Sequence, residues 1–338
     1  MKYDFSIIIP VYNRPTEIEE LLESLLCVRF IDKTEIIIVE DGSEIKCKDV
    51  VSKYDRRLNI FYYFKENTGP GNSRNYGMEK ANSDYFLIFD SDVLLPQNYL
   101  ENLYDNLKTN YADCYGGPDK AHDDFTDVQK AINYSMTSFW TTGGIRGGKE
   151  SKKKNSFQPR SFNMGISRHA FLRSGGFSNI HPGEDPDLSL RLIKLNFKTA
   201  LYNNCYVYHK RRIDWKGFRI QVSKFGKVRP ILNLWHPASH SIVYYFPGLF
   251  SSGLLFSLLL CLFNFYWLFL LYVLYFVFLM IDAYKVNKSL KLALYSLFAV
   301  FIQFFNYGFA FFESTFNVII LKKKPEKIYP DLFYKKSS

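Results

Sequence analysis

Two carboxylates one residue apart, Asp90 and Asp92 around Ser91, follow directly on the apolar run Tyr85-Phe86-Leu87-Ile88-Phe89. A short run of that kind reads as a buried strand whose end delivers both side chains to one mouth. Mg²⁺ and Mn²⁺ favour oxygen ligands, and a divalent ion held by one or two carboxylates with its remaining positions open suits the grip of a diphosphate. A second acidic group, Gly183-Glu184-Asp185-Pro186-Asp187, precedes an apolar periodicity at Leu188, Leu192 and Leu195. Pro186 suits the first position of that helix, which makes Asp185 its expected N-cap. An N-cap Asp needs no chemistry to explain it, yet the positive helix end also favours the ionised carboxylate that a base collecting a hydroxyl proton requires. Asp187 reads as first-turn charge complementing the helix dipole.

The elements that must position these groups alternate. Apolar runs at 5–9, 35–39, 60–64 and 85–89 read as strands, and helical spacing at Ile18, Leu21, Leu22 and Leu25 and over 73–80 supplies helices between them. A largely parallel sheet buried on both faces follows, with ligands expected beyond the carboxyl ends of its strands. Those ends carry Pro10-Val11-Tyr12-Asn13, Glu40-Asp41-Gly42-Ser43, Asn67-Thr68-Gly69-Pro70-Gly71 and Asp90-Ser91-Asp92. A side chain such as Asp41 can accept hydrogen bonds from a ribose or base, Tyr12 can stack on a base, and the glycines permit close backbone approach. Singly, a DG pair or an NxGxG is turn chemistry, so the weight lies in their order and spacing.

The chain's 338 residues divide by composition. Charged and apolar residues mix up to about Trp235, whereas no Asp, Glu, Lys or Arg occurs from Ser241 to Ile281. One helix over that stretch would run to about 60 Å, twice a hydrocarbon core, so it reads as two spans, with a turn near Asn264. The loop with Lys285, Lys288 and Lys291 belongs in the cytosol, and a third span begins near Leu292. Gln303, Asn306 and Glu313 should face protein or headgroups. The side on which Lys322-Lys323-Lys324 ends stays open. No signal pattern opens the chain, so a cytosolic N-terminal domain is expected. Five cysteines without a CxxC pair give neither a zinc site nor a disulfide framework. The formal charge of +10 points to anionic lipid rather than nucleic acid, because many basic residues flank the apolar spans.

Segments IIIPVYNR at 7–14, IIIVEDGS at 36–43, NTGPGNSRNYG at 67–77, FDSDV at 89–93 and GEDPDLSLRL at 183–192 together resemble family 2 glycosyltransferases of the GT-A fold. The resemblance covers roughly residues 1–230. It implies a Rossmann-like, mostly parallel α/β domain followed by an all-α membrane domain. It also implies that Pro10, Tyr12, Asp41, Asn67 and Arg74 hold a nucleotide sugar, with Asn13, Gly69 and Ser91 in the same turns. Asp92 would ligate a Mn or Mg ion directly, with Asp90 nearer the ribose or the metal, and Asp185 would be the base of an inverting displacement. Glu40, where the family often has Asp, has no assigned role. A His in this family often completes the metal site, which brings in His209 after the strand-like Cys205-Tyr206-Val207-Tyr208; an imidazole suits Mn²⁺ better than Mg²⁺. UDP is the default nucleotide of such a family.

On the acceptor side the candidates are Asn163, equally a turn residue, Glu184, and Arg211 and Arg212, which could grip a diphosphate or approach lipid headgroups. Gly143 to Lys154 is glycine-rich and basic, and a mobile loop is expected there. Residues 1–212 are thus expected to form the catalytic domain, 213–240 an interfacial amphipathic segment, 241–321 about three transmembrane helices, and 322–338 a basic tail. Gln221, Lys224 and Phe225 resemble a degraded form of the QxxRW motif of processive family members. A multi-pass anchor in the cell membrane, with the catalytic domain on the cytoplasmic side, suits a lipid-linked or membrane-proximal glycan acceptor. A processive polysaccharide synthase, a haloacid-dehalogenase-like phosphatase using the first Asp of FDSDV, and a catalytically silent membrane scaffold are the alternatives.

Overall fold

The computed structural model describes residues 3–121, 125–143, 157–209 and 214–334. Lys210, Arg211, Arg212 and residues 144–154 of the glycine-rich loop lie outside them. The chain forms two compact units, one of Met1–His122, Glu150–Lys210 and Phe333–Ser338, the other of Asp123–Lys149 and Arg211–Leu332. Residues 125–143, expected within the first domain, group instead with the C-terminal helices.

The first unit opens with β1 (Phe5–Val11), α1 (Pro15–Leu26), β2 (Thr34–Asp41), α2 (Lys48–Ser52), β3 (Ile60–Lys65), α3 (Pro70–Lys80) and β4 (Tyr85–Phe89). It continues through β5 (Val93–Leu94), α4 (Tyr99–Thr109), β6 (Cys114–Gly116) and β7 (Asp119–Ala121). Helices α5 (Asp127–Thr137) and α6 (Phe139–Thr142) belong to the second unit, and the first resumes with β8 (Asn163–Ser167), α7 (Arg168–Ser174), α8 (Glu184–Lys194), β9 (Thr199–Leu201) and β10 (Val207–His209).

A seven-stranded sheet runs in the order β3-β2-β1-β4-β8-β6-β9. Only β8 is reversed, antiparallel to both β4 and β6. The expected runs at 5–9, 35–39 and 85–89 are its buried centre, because Val, Ile and Phe fill the pleat on both faces. β3 is the edge and only half-buried, with Phe61 and Phe64 exposed. Ile18, Leu21, Leu22 and Leu25 of α1 are buried as their spacing predicts. On the other face α3 lies unusually near the strands: a Cβ at Gly77 would stand 2.6 Å from Ile8 Cγ2 and 3.3 Å from Val39 Cγ2. Glycine there sets how closely the helix approaches. A three-stranded sheet, β5-β10-β7, stands beyond the end of β4.

The second unit adds α9 (Trp215–Trp235), α10 (Phe246–Cys261), α11 (Trp267–Asn287), α12 (Leu290–Ser314), which continues as a π-helix through Thr315–Ile320, and α13 (Pro325–Ile328). Three stretches are long and apolar enough to cross a membrane: Ile242–Cys261, Trp267–Asn287 and Leu290–Ile320. The turn near Asn264 is there, with φ 61°, and Lys288 ends α11 at φ 53°. α12 is central, packed by α5, α9, α10 and α11. Small residues set its contacts: a Cβ at Gly226 of α9 would collide with the Tyr307 carbonyl, and one at Gly308 would stand 2.6 Å from Gly248 Cα of α10. The segment expected at an interface is therefore a helix with a buried face, which includes Phe218, Val222 and Ile231.

Candidate active site

The loops beyond β1 to β4 are stitched into one crevice by their own polar groups. Asn13, at φ 54°, accepts hydrogen bonds on Oδ1 from the backbone N–H groups of Glu44 (2.8 Å) and Ile45 (3.0 Å), and its own N–H donates to Ser43 Oγ at 2.8 Å. Asp41 accepts the N–H groups of Thr68 and Gly69, each at 2.9 Å, and is ion-paired with Lys65. It thus anchors the loop that carries Asn67 and Gly69. Asn67 is exposed, and its backbone nitrogen would stand 2.7 Å from a Cβ at Gly42, whose φ of 70° also favours glycine. Tyr12 is 49% exposed beside half-buried Pro10, which leaves its ring open to a stacking partner. Glu40, given no role by sequence, is a buried bracket: it accepts the Cys47 N–H (3.0 Å) and the Tyr62 hydroxyl.

Arg74, one turn into α3, is buried and donates to Asp90 Oδ1 (2.7 Å) and Glu184 Oε1 (3.1 Å). His181 Nδ1 lies 2.9 Å from the same Glu184 oxygen. Burial opposes ionisation of Glu184, but the His181 ring and the Arg74 guanidinium outweigh it and hold the carboxyl below its usual range. Asp90, Arg74, Glu184 and His181 thus form a continuous polar chain from the end of β4 to the start of α8.

Asp92 is bracketed on its other side. Its Oδ1 lies 3.1 Å from His209 Nε2, and its Oδ2 accepts Arg14 Nη1 at 2.8 Å. Burial works against the charge, yet His209 and then Arg14 keep the carboxyl well below its ordinary value. The small sheet explains the meeting: β10 pairs antiparallel with β5 so that His209 stands opposite Val93, next to Asp92. The imidazole is also stacked on Phe162, with centroids 5.3 Å apart. Asp90, Asp92 and His209 each offer a ligand atom within 4.8 Å of the others. Two carboxylates and one imidazole form a donor set that suits Mn²⁺. Ser91 between them is buried.

Asp185 corrects one expectation. The cap of α8 is Gly183, at φ 128°, whose carbonyl accepts the Asp187 N–H at 3.0 Å, so the helix begins at Glu184 and Asp185 lies within its first turn. A left-handed glycine lets the helix start two residues ahead of Pro186. Asp185 Oδ1 is sealed from solvent with no hydrogen-bond partner among the described residues. Burial, then the Glu184 charge, raises its pKa against the pull of Arg74 and Arg160, the reverse of stabilisation of the anion by the helix end. Asp187 is buried and paired with Arg191 four residues on, at 2.7 Å.

Asn163 is corrected too. It is a buried strand residue rather than a turn, and its amide is consumed internally: Oδ1 accepts the Tyr99 hydroxyl at 2.5 Å and Nδ2 donates to the Cys205 carbonyl at 2.8 Å. Fully buried with both amide atoms engaged, it serves the packing of β8 rather than contact with a sugar. Arg14, His181, Lys65 and Tyr334 reach this region without having been singled out by sequence. Arg14 closes a motif already quoted, and His181 stands one helical spacing before Glu184, but nothing local marks Tyr334.

Comparison with known proteins follows the same segments. A family model described as Glycosyl transferase family 2 matches residues 6–174, half of the chain. The minor teichoic acid biosynthesis protein GgaB of Bacillus subtilis is 36% identical over 106 residues, 30% of this chain and 12% of that protein. A poly-beta-1,6-N-acetyl-D-glucosamine synthase of Staphylococcus aureus is 30% identical over 104 residues, 30% of this chain and 25% of that one. The match therefore spans a quarter or less of the length of these two relatives. Among solved structures, the mannosyltransferase PcManGT of Pyrobaculum calidifontis, in complex with GDP-Man and Mn²⁺, superposes with a TM-score of 0.57 at 14% identity, over 94% of this chain and 88% of that one. S. aureus TarS 1-349 in complex with UDP-GlcNAc gives 0.50 at 18%, over 95% and 92%. At such identities the likeness is one of fold.

Proposed function

The chain belongs to glycosyl transferase family 2, and from that premise we propose that it is a membrane-anchored, metal-dependent, inverting glycosyltransferase. It would move a sugar from a nucleotide-sugar donor to a lipid-linked or membrane-proximal glycan acceptor. The observation that carries this reading is the pairing of two sites through one buried arginine. Arg74 bonds Asp90 of the Asp90–Asp92–His209 cluster and, on its other side, Glu184 next to Asp185, whose buried Oδ1 has no hydrogen-bond partner among the described residues.

The three-residue cluster fits a divalent cation, with Asp92 and His209 as direct ligands and Asp90 at the ribose side. When bound, such an ion neutralises the charge that develops on the departing nucleoside diphosphate. Tyr12, Asp41, Asn67 and Gly69 bind the nucleoside end. The Asp185 carboxylate receives the acceptor hydroxyl proton as the new bond to the anomeric carbon forms. The bond to the diphosphate oxygen breaks with its electron pair on the leaving group. With one displacement and no second carboxylate attacking the sugar, the anomeric configuration inverts. A carboxyl with a raised pKa is a stronger base once ionised, which suits this task. UDP is the default nucleotide; a UDP-sugar complex and a GDP-sugar complex with Mn²⁺ both occur in this fold. The apolar helices hold the protein in a membrane, and Lys285, Lys288 and Lys291 favour the cytosolic side for the loop that bears them.

The test uses the full chain in lipid nanodiscs, screened by thermal shift against UDP-, GDP- and dTDP-sugars with Mn²⁺, because a ligand that binds the native state raises apparent stability. Asp92→Ala should remove the Mn²⁺-dependent part of donor binding. Asp185→Asn should retain donor binding and lose transfer. Transfer at the wild-type rate by Asp185→Asn, or donor binding indifferent to both Asp92→Ala and chelator, overturns the proposal.

A further inference from the structure

The chain enters its nucleotide crevice once more after the apolar helices. Phe333 pairs with Ile180 as an isolated antiparallel bridge, the Tyr334 N–H donates to the Asn179 carbonyl at 3.0 Å, and Asn179 Nδ2 returns a bond to the Tyr334 carbonyl at 3.1 Å. This anchor lies on the loop that leads into α8 and Asp185. It sets the Tyr334 ring on Gly69, where any Cβ would collide with the ring carbons, and 6.1 Å from the His181 ring. Gly69 is thus fixed as glycine by two demands, its φ of 90° and the flat aromatic above it. Burial, and then the proximity of Asp41, Glu184 and Tyr12, raises the pKa of the tyrosine hydroxyl.

Resting on the donor site proposed above, we infer that Tyr334 is an aromatic wall of the nucleotide pocket, so that the segment after the membrane helices completes the donor site. A nucleoside presents a flat base and a sugar edge, and an aromatic ring beside the residues that bind it supplies a stacking surface without base specificity. Two features distinguish a wall from a plug. The Tyr334 hydroxyl forms no hydrogen bond to Asp41 or Glu184 among the described residues, so it does not imitate a ligand's polar contacts. The side chain is only half-buried, which leaves part of its ring free for a ligand.

The experiment compares wild type, Tyr334→Ala and Tyr334→Phe as full chains in nanodiscs. It measures UDP and GDP binding by calorimetry with Mn²⁺ and steady-state transfer. Tyr334→Ala should bind nucleotide roughly tenfold more weakly and raise donor KM by the same factor at unchanged kcat, and Tyr334→Phe should restore both. Equal binding by Tyr334→Ala, or tighter binding with faster turnover, overturns the inference while leaving the donor site in place. A loss not rescued by phenylalanine also overturns it, because stacking needs only the ring. A wild type that binds neither nucleotide removes the donor site itself, and this inference with it.

Discussion

Replacing Arg74 by methionine probes the buried charge chain directly. The guanidinium is only 4% exposed and touches Asp90, Glu184 and, at 5.3 Å, the face of Phe177. Asp90 keeps about a third of its side-chain exposure and can be resolvated when the cation goes; Glu184, at 6%, cannot. Removing one partner of a buried pair costs about 3–5 kcal/mol because the other charge is stranded. That cost corresponds to a fall in the unfolding midpoint on the order of 10 °C for a domain of this size. The deficit should be full at neutral pH. It should narrow as the pH falls below the ordinary glutamate range, since Glu184 is held ionised by His181 and Arg74 together in wild type and, left with His181 alone, takes up a proton at higher pH in the variant. Arg74→Met combined with Glu184→Gln should recover much of the loss, as removing both charges leaves no stranded ion. The assay is thermal unfolding of the purified chain without nucleotide, followed across pH. A loss below about 1 kcal/mol, in the range of a surface pair, or a double variant no better than Arg74→Met, refutes the reasoning.

The remaining expectations concern the base and the helix that carries Arg74. Glu184→Gln should move the acid limb of the pH–rate profile to lower pH, since the Glu184 charge helps to raise the Asp185 pKa; a limb that moves up or stays would contradict that coupling. Gly77→Ala should cost about 1–3 kcal/mol of stability by overpacking against Ile8. It should also raise donor KM by displacing α3 and its Arg74, so a neutral variant would show that the helix has room.

Much of this architecture is written in short-range pattern. The continuous apolar runs of β1, β2 and β4 had to be buried on both faces, and a sheet so built presents its polar strand ends at one edge, which is where Tyr12, Asp41 and Asp92 stand. What escaped reading depends on the backbone or on distant partners. The start of α8 was misplaced because proline at a first helical position is a strong local signal, while the left-handed Gly183 that allows an earlier start is visible only in three dimensions. Asn163 was misjudged because its partners, Tyr99 and the Cys205 carbonyl, stand 64 and 42 residues away. Helix α5 carries an amphipathic pattern compatible with either unit, and only its packing on α12 assigns it.

The return of Phe333 and Tyr334 to the first unit also constrains the membrane helices. Residues 211–332 leave that unit and rejoin it, so a bilayer that the first unit does not enter must be crossed an even number of times between them. Three helices are long enough to cross, and they cannot all do so. α12 is set apart by its flanks: Lys288 and Lys291 stand at one end, Lys322, Lys323 and Lys324 at the other, so both ends favour the cytosolic side. Its 31-residue apolar stretch, about 46 Å long, also exceeds a hydrocarbon core of about 30 Å. The uncharged turn at Asn264 suits the far side of a hairpin made by α10 and α11. The expected topology is therefore two crossings, with α12 along the cytosolic face. In a chain whose exposed Cys27 and half-buried Cys261 are replaced by serine, Asn264→Cys should react with an impermeant maleimide from outside oriented vesicles, and Lys288→Cys and Lys323→Cys only after permeabilisation. Labelling of Lys323→Cys from outside would mean that α12 crosses, and Tyr334 could then not occupy a donor site on the cytosolic side.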